Sequence, residues 1–273
     1  MDEKLHWKHN LKVLKTIIAV PRLGIISDFD GTLSAFADAA DEARITEESA
    51  RALDLLADRV TLVALVSGRA TADLRKRFER PWLRYYGSHG LDRWHEDSVR
   101  IVPAAEEWRT SLQQLLAEFT PPPNSGIYVE DKGVTASVHY RLTADPEKMR
   151  VQLMEALQPL CTRYGLTLSE GRFIWEIKPP LSLSKGTAVQ ALVEDHQLNG
   201  VLFLGDDVTD LSAMAYLRQI RDEGRIQSLS VGVIYGEGEP AGLRTSCDIT
   251  AYGPDDVAEL LLWIAEQLPV KRS

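Results

Sequence analysis

The sequence predicts an α/β protein whose core is a doubly wound parallel sheet and which carries an inserted α+β cap domain. Short apolar runs alternate with amphipathic helical patterns at both ends of the chain, as in βαβ units. The middle of the chain replaces that alternation with an αββαββ order of predicted elements. Clusters of acidic residues directly follow two of the apolar runs, which is where ligands bind in open α/β sheets.

Length and composition agree with this fold class. At about 150 residues per domain, the 273 residues make one large domain or two modest ones. Hydrophobic residues make up 44% and charged residues 26%, which excludes a disordered, collagen-like or disulfide-scaffold chain. Cys161 and Cys247 lie far apart without metal-ligand spacing, so we expect neither a disulfide framework nor a thiolate zinc site.

Charge and hydropathy limit the kinds of partner that we expect this protein to bind. The net charge of −9 argues against nucleic acid as the main partner. No apolar run reaches the roughly 18 residues that span a bilayer, and the first residues lack a basic segment followed by an apolar core. We therefore expect a cytoplasmic protein that acts on a small molecule, with no membrane or nucleic-acid partner.

The core strands are predicted from apolar, β-branched runs bounded by Gly, Asp or Ser, a pattern typical of buried parallel strands. These runs are Leu23–Ser27, Thr61–Val66, Val201–Leu204 and Ser230–Ile234. Helical patterns lie between them: Thr46 is the expected N-cap of one helix, with Glu47 and Glu48 in its first turn. Pro254 is expected to begin the last helix.

The inserted segment is predicted because the alternation of strands and helices stops after the first half of the core. Its expected elements are a helix over Glu106–Phe119, strands over Ile127–Glu130 and Val134–Arg141, a helix over Asp145–Tyr164, and a hairpin over Leu166–Lys178 turned at Glu170-Gly171. This αββαββ order predicts an antiparallel sheet with helices on one face. We assign 106–179 to the cap, and 1–105 with 180–273 to the core.

The first candidate catalytic motif is Asp28-Phe29-Asp30-Gly31-Thr32-Leu33, directly after a predicted strand. Side chains two apart on an extended chain point the same way, so both carboxylates are expected to face one spot. Carboxylates that close repel unless a cation lies between them or one holds a proton, and both arrangements are catalytic ones. An ordinary Asp-Gly turn after a strand is the structural alternative.

The second motif, Gly205-Asp206-Asp207-Val208-Thr209-Asp210, follows another predicted strand. Its carboxylates are expected at the same edge of the sheet as the first motif. Oxygen ligands at this density favour a hard divalent cation, and Mg²⁺ prefers one or two carboxylates together with waters and a phosphate. A solvated acidic loop that caps the next helix would explain either motif singly, but it explains the pair less well.

Two further motifs supply groups that bind phosphate. Val66-Ser67-Gly68-Arg69 ends a predicted strand and is expected to begin a helix, where backbone N–H groups and a hydroxyl can hold phosphate oxygens. Ser184-Lys185-Gly186-Thr187 places a lysine at the start of the predicted helix Thr187–Val193. An N-cap serine and a surface lysine are the alternatives. Taken in order, the motifs provide a nucleophile, a phosphate clamp, a charge balancer and a metal site, as phosphoryl transfer requires.

These motifs resemble the signature motifs of the haloacid dehalogenase superfamily of phosphotransferases, which has a Rossmann-like core and places its larger caps between the Ser and Lys motifs. The resemblance implies that Asp28 is the nucleophile that forms an aspartyl-phosphate and that Asp30 is the general acid. It further implies that the phosphoryl group is held by Ser67, Gly68 and Lys185. The implied Mg²⁺ ligands are Asp28, the backbone carbonyl of Asp30, and Asp206, with Asp210 in support.

A closer resemblance, to the trehalose-6-phosphate phosphatase family, rests on strings outside those motifs. They are Gly87-Ser88-His89-Gly90, Val129-Glu130-Asp131-Lys132-Gly133, His139-Tyr140-Arg141, Glu176-Ile177-Lys178-Pro179-Pro180 and Ser184-Lys185-Gly186. The resemblance implies that the sugar hydroxyls are held by Glu130, Lys132 and Glu176. It places Arg69, His89 and Arg141 near the phosphate or the adjoining sugar. It also implies a functional link to a trehalose-6-phosphate synthase.

Several alternatives stay open at this level. The charged residues of the cap are also explained by cross-strand ion pairs on a solvated sheet face. A phosphatase for another sugar phosphate, such as a sucrose or mannosylglycerate phosphate, would share the core and differ in the cap. A non-catalytic sugar-phosphate sensor would not need both Asp28 and Asp30. Leu211 stands where the family usually has a further acid, which predicts weaker metal affinity.

Overall fold

The computed structural model describes residues 3–35, 43–171, 173–235 and 239–270. The chain divides into two compact units, which we call the core unit (Met1–Val99 with Leu183–Ser273) and the cap unit (Arg100–Ser182). The insertion predicted from the sequence spans 106–179. Both sets of bounds place a single insertion between Ser67 and Lys185.

The elements follow one another as alternating helices and strands, interrupted by the cap unit. The first part of the chain contains α1 (Leu11–Ile18), β1 (Leu23–Ser27), α2 (Glu47–Ala57), β2 (Leu62–Val66), α3 (Thr71–Arg77), β3 (Arg84–Gly87), β4 (Asp92–His95) and β5 (Ser98–Ile101). Next come α4 (Pro103–Glu106), α5 (Arg109–Glu118), β6 (Tyr128–Asp131), β7 (Ala136–His139), α6 (Pro146–Tyr164), β8 (Thr167–Gly171) and β9 (Ile174–Lys178). The chain then continues with α7 (Lys185–Asp195), β10 (Gly200–Gly205), α8 (Leu211–Asp222), β11 (Gln227–Ile234), α9 (Leu243–Ser246), β12 (Ile249–Tyr252) and α10 (Gly253–Gln267).

The large sheet of the core unit is mostly parallel, as predicted. Within the described residues its strand order is β12-β11-β10-β1-β2-β3-β4-β5. Pairing is parallel from β12 to β3 and antiparallel between β3 and β4. The chain moves outward from β1 through β2 to β3 and, in its second half, from β10 through β11 to β12. The order therefore reverses between β1 and β10, which is the position where doubly wound sheets bind ligands.

Helices cover both faces of this sheet, which explains why its central strands are apolar throughout. Neighbouring strand residues belong to opposite faces: Ile25 packs in a cluster with α1, α2 and α10, and Ile26 packs in a cluster with α7 and α8. The predicted cap of α2 is confirmed, because the Thr46 hydroxyl accepts a hydrogen bond from the Ser49 N–H at 3.1 Å. Pro254 lies in the first turn of α10, also as predicted.

The cap unit contains a separate antiparallel sheet in the order β6-β7-β9-β8. Helices α5 and α6 pack on one face of this sheet around a small apolar cluster of their own. The predicted αββαββ order is confirmed, with the short α4 added before it. The predicted hairpin turn at Glu170-Gly171 is wrong, because both residues belong to β8 and Gly171 pairs with Ile174. A Glu-Gly pair is a turn signal only by local preference, and strand pairing overrides it here.

Two observations concern the expectations that the chain has no disulfide framework and no membrane span. Cys161 and Cys247 are free thiols in the protein interior. Over the ranges that the structure covers, no helix combines the length and the apolar character needed to cross a bilayer.

Candidate active site

The acidic motifs meet because β1 and β10 are neighbours with matched ends. Ser27 pairs with Leu204 in the parallel register, and the Asp28 N–H donates to the Leu204 carbonyl at 2.9 Å. The next residues of both strands, which carry the carboxylates, therefore leave the sheet side by side. The prediction that both motifs lie at the same sheet edge is confirmed by this register.

Asp28, Asp206 and Asp210 form a buried acid cluster in which one oxygen of each carboxylate lies within 4.8 Å of the others. Burial raises the pKa of Asp28 to about 7, although the Lys185 ammonium opposes it. Burial, and then the neighbouring carboxylates, raise the pKa of Asp206 well above its ordinary value. With all three carboxylates ionised, the cluster would carry more negative charge than its lysine balances. Hard oxygen donors with that excess charge fit a divalent cation such as Mg²⁺.

Lys185 is the first residue of α7 and lies at the centre of this cluster. Its Nζ is 2.8 Å from Asp28 Oδ2 and 2.8 Å from Asp210 Oδ1. Burial by itself would lower the pKa of this amine, but the two carboxylates outweigh it and the net shift is upward. Lys185 therefore stays charged, and the surface-lysine alternative is excluded by its 2% exposure.

Asp210 organises the loop after β10 as well as the cluster. Its Oδ2 accepts hydrogen bonds from the backbone N–H groups of Asp206, at 3.1 Å, and Asp207, at 3.0 Å. A Cβ at Gly205 would lie 2.4 Å from Asp210 Cγ, so only glycine allows this approach. With its other oxygen on Lys185, Asp210 holds the loop and the lysine together, in agreement with the supporting role implied by the resemblance.

Leu211 follows Asp210 and begins α8. It is partly buried and packs against the apolar cluster formed by α7 and α8. This leucine is therefore a core contact, which explains why an apolar residue is stable at a position where the family usually has an acid.

The side chain of Asp30 points to a cation instead of joining the acid cluster. Its two oxygens accept hydrogen bonds from Nε and Nη2 of Arg69, both at 2.6 Å. The resemblance assigns only the backbone carbonyl of Asp30 to the metal, so this side-chain pairing is compatible with it. Arg69, predicted to contact substrate, is here bound to the predicted general acid.

The Ser67 motif lies at the end of β2, but it does not begin a helix. Helix α3 begins at Thr71 with Ala70 as its cap, so the predicted helix start at Ser67 is wrong. The backbone N–H of Ser67 donates instead to the Tyr86 carbonyl of the neighbouring strand. The Ser67 hydroxyl is buried and accepts from the Arg69 N–H at 3.3 Å.

His89 lies against this motif. The backbone N–H of His89 donates to the Ser67 carbonyl at 2.9 Å. The His89 backbone is left-handed, with φ of 59°. A Cβ at Gly68 would lie 2.7 Å from the His89 ring, so glycine is required for the ring to pack there. The structure thus brings together Ser67, Gly68 and His89, which the sequence separates.

Some residues of this site carry no sequence signal. The buried Asp92 accepts from the Thr71 hydroxyl at 2.6 Å and the Ser88 hydroxyl at 3.3 Å, which ties α3 to the His89 loop. The Tyr235 hydroxyl donates to the Gly31 carbonyl at 2.5 Å. The Thr32 hydroxyl donates to Asp206 at 3.1 Å; Thr32 lies in the first motif, which is the one signal that could have found it.

In the cap unit, the predicted sugar-binding residues lie on the sheet face opposite the helices. Glu130 pairs with Ser137, and Ser137 pairs with Glu176, so these residues form one row across β6, β7 and β9. Lys132 Nζ lies 3.9 Å from Glu130 and 3.7 Å from Glu176, and His139 Nε2 lies 3.2 Å from Glu130. We call this set the cap face. The ion pairs expected under the structural alternative are therefore present.

Arg141 lies just beyond β7, outside that row. Its guanidinium lies 5.3 Å from the centre of the Phe173 ring, within the range of a cation–π contact. The structure places it in the cap unit with the predicted sugar-binding residues.

The fold of this chain is similar to that of the haloacid dehalogenase-like hydrolases. The structure is similar to a haloacid dehalogenase-like hydrolase from Bacteroides thetaiotaomicron, with a TM-score of 0.58 and 16% identity over 89% of this chain and 99% of that one. It is also similar to the C-terminal domain of the trehalose-6-phosphate phosphatase of C. albicans, with a TM-score of 0.76 and 20% identity over 95% and 98% of the two chains. The chain belongs to the trehalose-phosphatase family, whose model matches residues 26–236.

A curated relative agrees with this family assignment. The trehalose-phosphate phosphatase of Mycobacterium avium is 31% identical over 259 residues, which are 89% of this chain and 62% of that protein. The chain spans about three-fifths of the length of the curated relatives that it matches first, between 58% and 63%.

Proposed function

We propose that this chain is a Mg²⁺-dependent phosphatase that hydrolyses trehalose 6-phosphate to trehalose and phosphate through an aspartyl-phosphate. The observation that carries the proposal is the buried acid cluster around Lys185 at the switch point of the sheet. Membership of the trehalose-phosphatase family supports both the reaction class and the substrate.

Asp28 is the nucleophile in this mechanism. Its Oδ1 accepts the Phe29 N–H at 2.7 Å and its Oδ2 contacts Lys185, so both oxygens are oriented. A carboxylate oxygen attacks phosphorus, the bond from phosphorus to the sugar oxygen breaks, and Asp30 gives its proton to that oxygen. Water then attacks the aspartyl-phosphate while Asp30 takes a proton from it. The products are trehalose, inorganic phosphate and the restored carboxylate.

We propose that a magnesium ion would be held by Asp28, Asp206 and the backbone carbonyl of Asp30, because the acid cluster supplies the hard oxygen donors that this ion prefers. Magnesium would supply positive charge to the substrate phosphate and to the carboxylates around it. The chain's own contribution is Lys185, which neutralises part of the carboxylate charge, and the Ser67 hydroxyl and Gly68 N–H, which we assign to the phosphate oxygens. His89 and Arg141 are proposed to lie near the phosphate or the adjoining sugar.

We propose that the cap face selects the sugar. Glu130 and Glu176 can accept hydrogen bonds from hydroxyls, and Lys132 can donate to them. Alternating charge of this kind suits a polyhydroxylated ligand better than an apolar one. Because trehalose 6-phosphate must be supplied by an enzyme that forms its glycosidic bond, we also propose a functional link to a trehalose-6-phosphate synthase. The cytoplasmic location stays a prediction.

The test is phosphate release from a panel of disaccharide and monosaccharide phosphates, with Mg²⁺ and after chelation. We expect trehalose 6-phosphate to have the highest kcat/KM, and chelation to abolish its turnover. Preference for a sucrose or mannosylglycerate phosphate would replace the substrate and keep the chemistry. Binding of these ligands without any phosphate release would identify a sensor instead of an enzyme.

A further inference from the structure

The closest ion pair at the candidate site joins Asp30 to Arg69. Both carboxylate oxygens are engaged side-on by the guanidinium, each at 2.6 Å. This paired geometry fixes the plane of the carboxylate, because two parallel N–H···O bonds oppose rotation about the side-chain torsion. Each oxygen keeps a second lone pair, which faces away from the arginine and can accept a proton.

Arg69 also forms an ion pair with helix α3. Its Nη1 donates to Asp73 Oδ2 at 2.9 Å, and Asp73 also accepts from Nε of Arg77 at 2.8 Å and Nη2 at 3.1 Å. The Arg69 side chain is only 11% exposed, whereas that of Asp30 is 32% exposed. The chain of alternating charges therefore ends on Asp30, and Asp30 is the member of the pair that reaches solvent.

We propose that Arg69 is a positioning residue for Asp30 and not a ligand of the substrate phosphate. The inference rests on the proposed function and deepens it, because it assigns a residue to the second half of that mechanism. When water attacks the aspartyl-phosphate, its oxygen bonds to phosphorus, the bond from Asp28 to phosphorus breaks, and one water proton passes to Asp30. A carboxylate held in a fixed plane by Arg69 is oriented to accept that proton.

The experiment uses an aryl phosphate, whose good leaving group does not need an acid. We would acid-quench the reaction at successive times and follow formation and decay of the phosphorylated protein by mass. The variants are Arg69→Met, Arg69→Lys and Asp30→Asn. The matched control is Arg75→Met on the neighbouring helix α3, because Arg75 pairs with Glu79 and lies over Trp94 instead of contacting Asp30. Inhibition by inorganic phosphate is measured for each variant.

In Arg69→Met we expect decay of the phosphorylated protein to slow by about 10-fold or more, with formation changed by less than about 3-fold. Asp30→Asn should slow decay further, by about 100-fold. Arg69→Lys should lie between wild type and Met, because lysine restores the charge but not the paired geometry. This variant also decides the question if the Met variant does not fold. The inhibition constant for phosphate and all rates of the control should be unchanged.

Two results would overturn the inference alone. If Asp30→Asn accumulates phosphorylated protein while the Arg69 variants decay at the wild-type rate, Arg69 does not act through Asp30. If the Arg69 variants weaken phosphate inhibition about 10-fold and slow formation as much as decay, Arg69 binds the phosphate itself. If no phosphorylated protein forms in any variant or the wild type, the proposed function fails and the inference fails with it.

Discussion

Lys185 in the core unit and Lys132 in the cap unit each lie between two carboxylates, and the two arrangements differ in geometry. In the core unit, Lys185 is 2.8 Å from both Asp28 and Asp210. In the cap unit, Lys132 is 3.9 Å from Glu130 and 3.7 Å from Glu176. The first pair of contacts are hydrogen bonds, whereas the second pair are longer than a direct hydrogen bond.

Burial explains why the two arrangements differ. The core carboxylates are 5% and 0% exposed, while those of the cap face are 25% and 14% exposed. Charges in a low-dielectric interior interact strongly and must be compensated at close range. Charges with access to water can stay loosely paired, because solvent screens them. The core cluster therefore holds a fixed charge distribution, whereas the carboxylates of the cap face can change their contacts at little cost.

The comparison teaches that a triad of charges does not by itself identify a catalytic site. The core cluster contains a third carboxylate, Asp206, whose pKa burial and its neighbours raise. The excess negative charge of three ionised carboxylates is what favours a bound cation at this site. Within the described residues, this core cluster is the one group of three or more His, Cys, Asp or Glu side chains whose ligand atoms lie close enough together to share a metal ion.

The largest expected effect is the loss of the nucleophile. Asp28→Asn should lower kcat on every phosphate ester by at least about 1,000-fold, because an amide is nearly isosteric but cannot form the aspartyl-phosphate. The thermal unfolding temperature should stay the same or rise, since the change removes a buried charge. Steady-state assays with thermal unfolding on the same samples check both points. Residual activity of more than a few per cent would contradict the assignment.

A matched pair of lysine variants should separate the two units. Lys185→Met should reduce kcat/KM by about 100-fold or more on both sugar and aryl phosphates. At pH 8 in chelator it should also lower the free energy of unfolding by about 3–5 kcal/mol, because it leaves buried carboxylates uncompensated. Lys132→Met should lower the free energy of unfolding by about 1 kcal/mol or less. Denaturant unfolding of the two variants measures this difference. Equal losses in the free energy of unfolding would mean that the charges around Lys185 and those around Lys132 contribute equally to stability.

The cap face is expected to affect substrate choice alone. A hydrogen bond from a charged group to a hydroxyl contributes about 1.5–3 kcal/mol. Glu130→Ala or Glu176→Ala should therefore lower kcat/KM on trehalose 6-phosphate by about 10- to 150-fold. A small aryl phosphate, which lacks those hydroxyls, should react at nearly the wild-type rate. Equal losses on both substrates would indicate damage to the fold, and no loss on either would leave only surface ion pairs on the cap face.

The smallest expected effect is on stability, through pH and metal. Between pH 3.8, the ordinary pKa of aspartic acid, and about 7, the pKa of Asp28 in the fold, the folded protein keeps a proton that the unfolded chain has released. The metal-free protein should therefore lose stability as the pH rises through this window. Mg²⁺ at about 100 times its Kd should raise Tm by about 5–10 °C. The rise should be greater at pH 8 than at pH 5, as thermal scans in Mg²⁺ and in chelator would show. Equal or absent shifts would remove the metal from the acid cluster.

The sequence by itself determined the elements whose signals are local. The apolar runs of β1, β2, β10 and β11 are found where they were predicted, because burial on both faces of a parallel sheet demands continuous apolar residues. The acidic motifs could be placed at one sheet edge because connections between parallel strands return the chain to the same edge. The αββαββ order of the insertion followed from the change in periodicity alone.

The tertiary structure alone decided the contacts between residues far apart in the chain. Nothing local to Arg69 indicates that it binds Asp30, 39 residues earlier, or that Tyr235 reaches Gly31, 204 residues away. The short strands β3, β4 and β5 and the position of the β8–β9 turn were missed for the same reason. Motifs report which chemical groups are available, through residue type and spacing. Tertiary packing decides which of these groups contact each other. Buried charged side chains must be paired, and their partners come from any part of the chain that packing brings close.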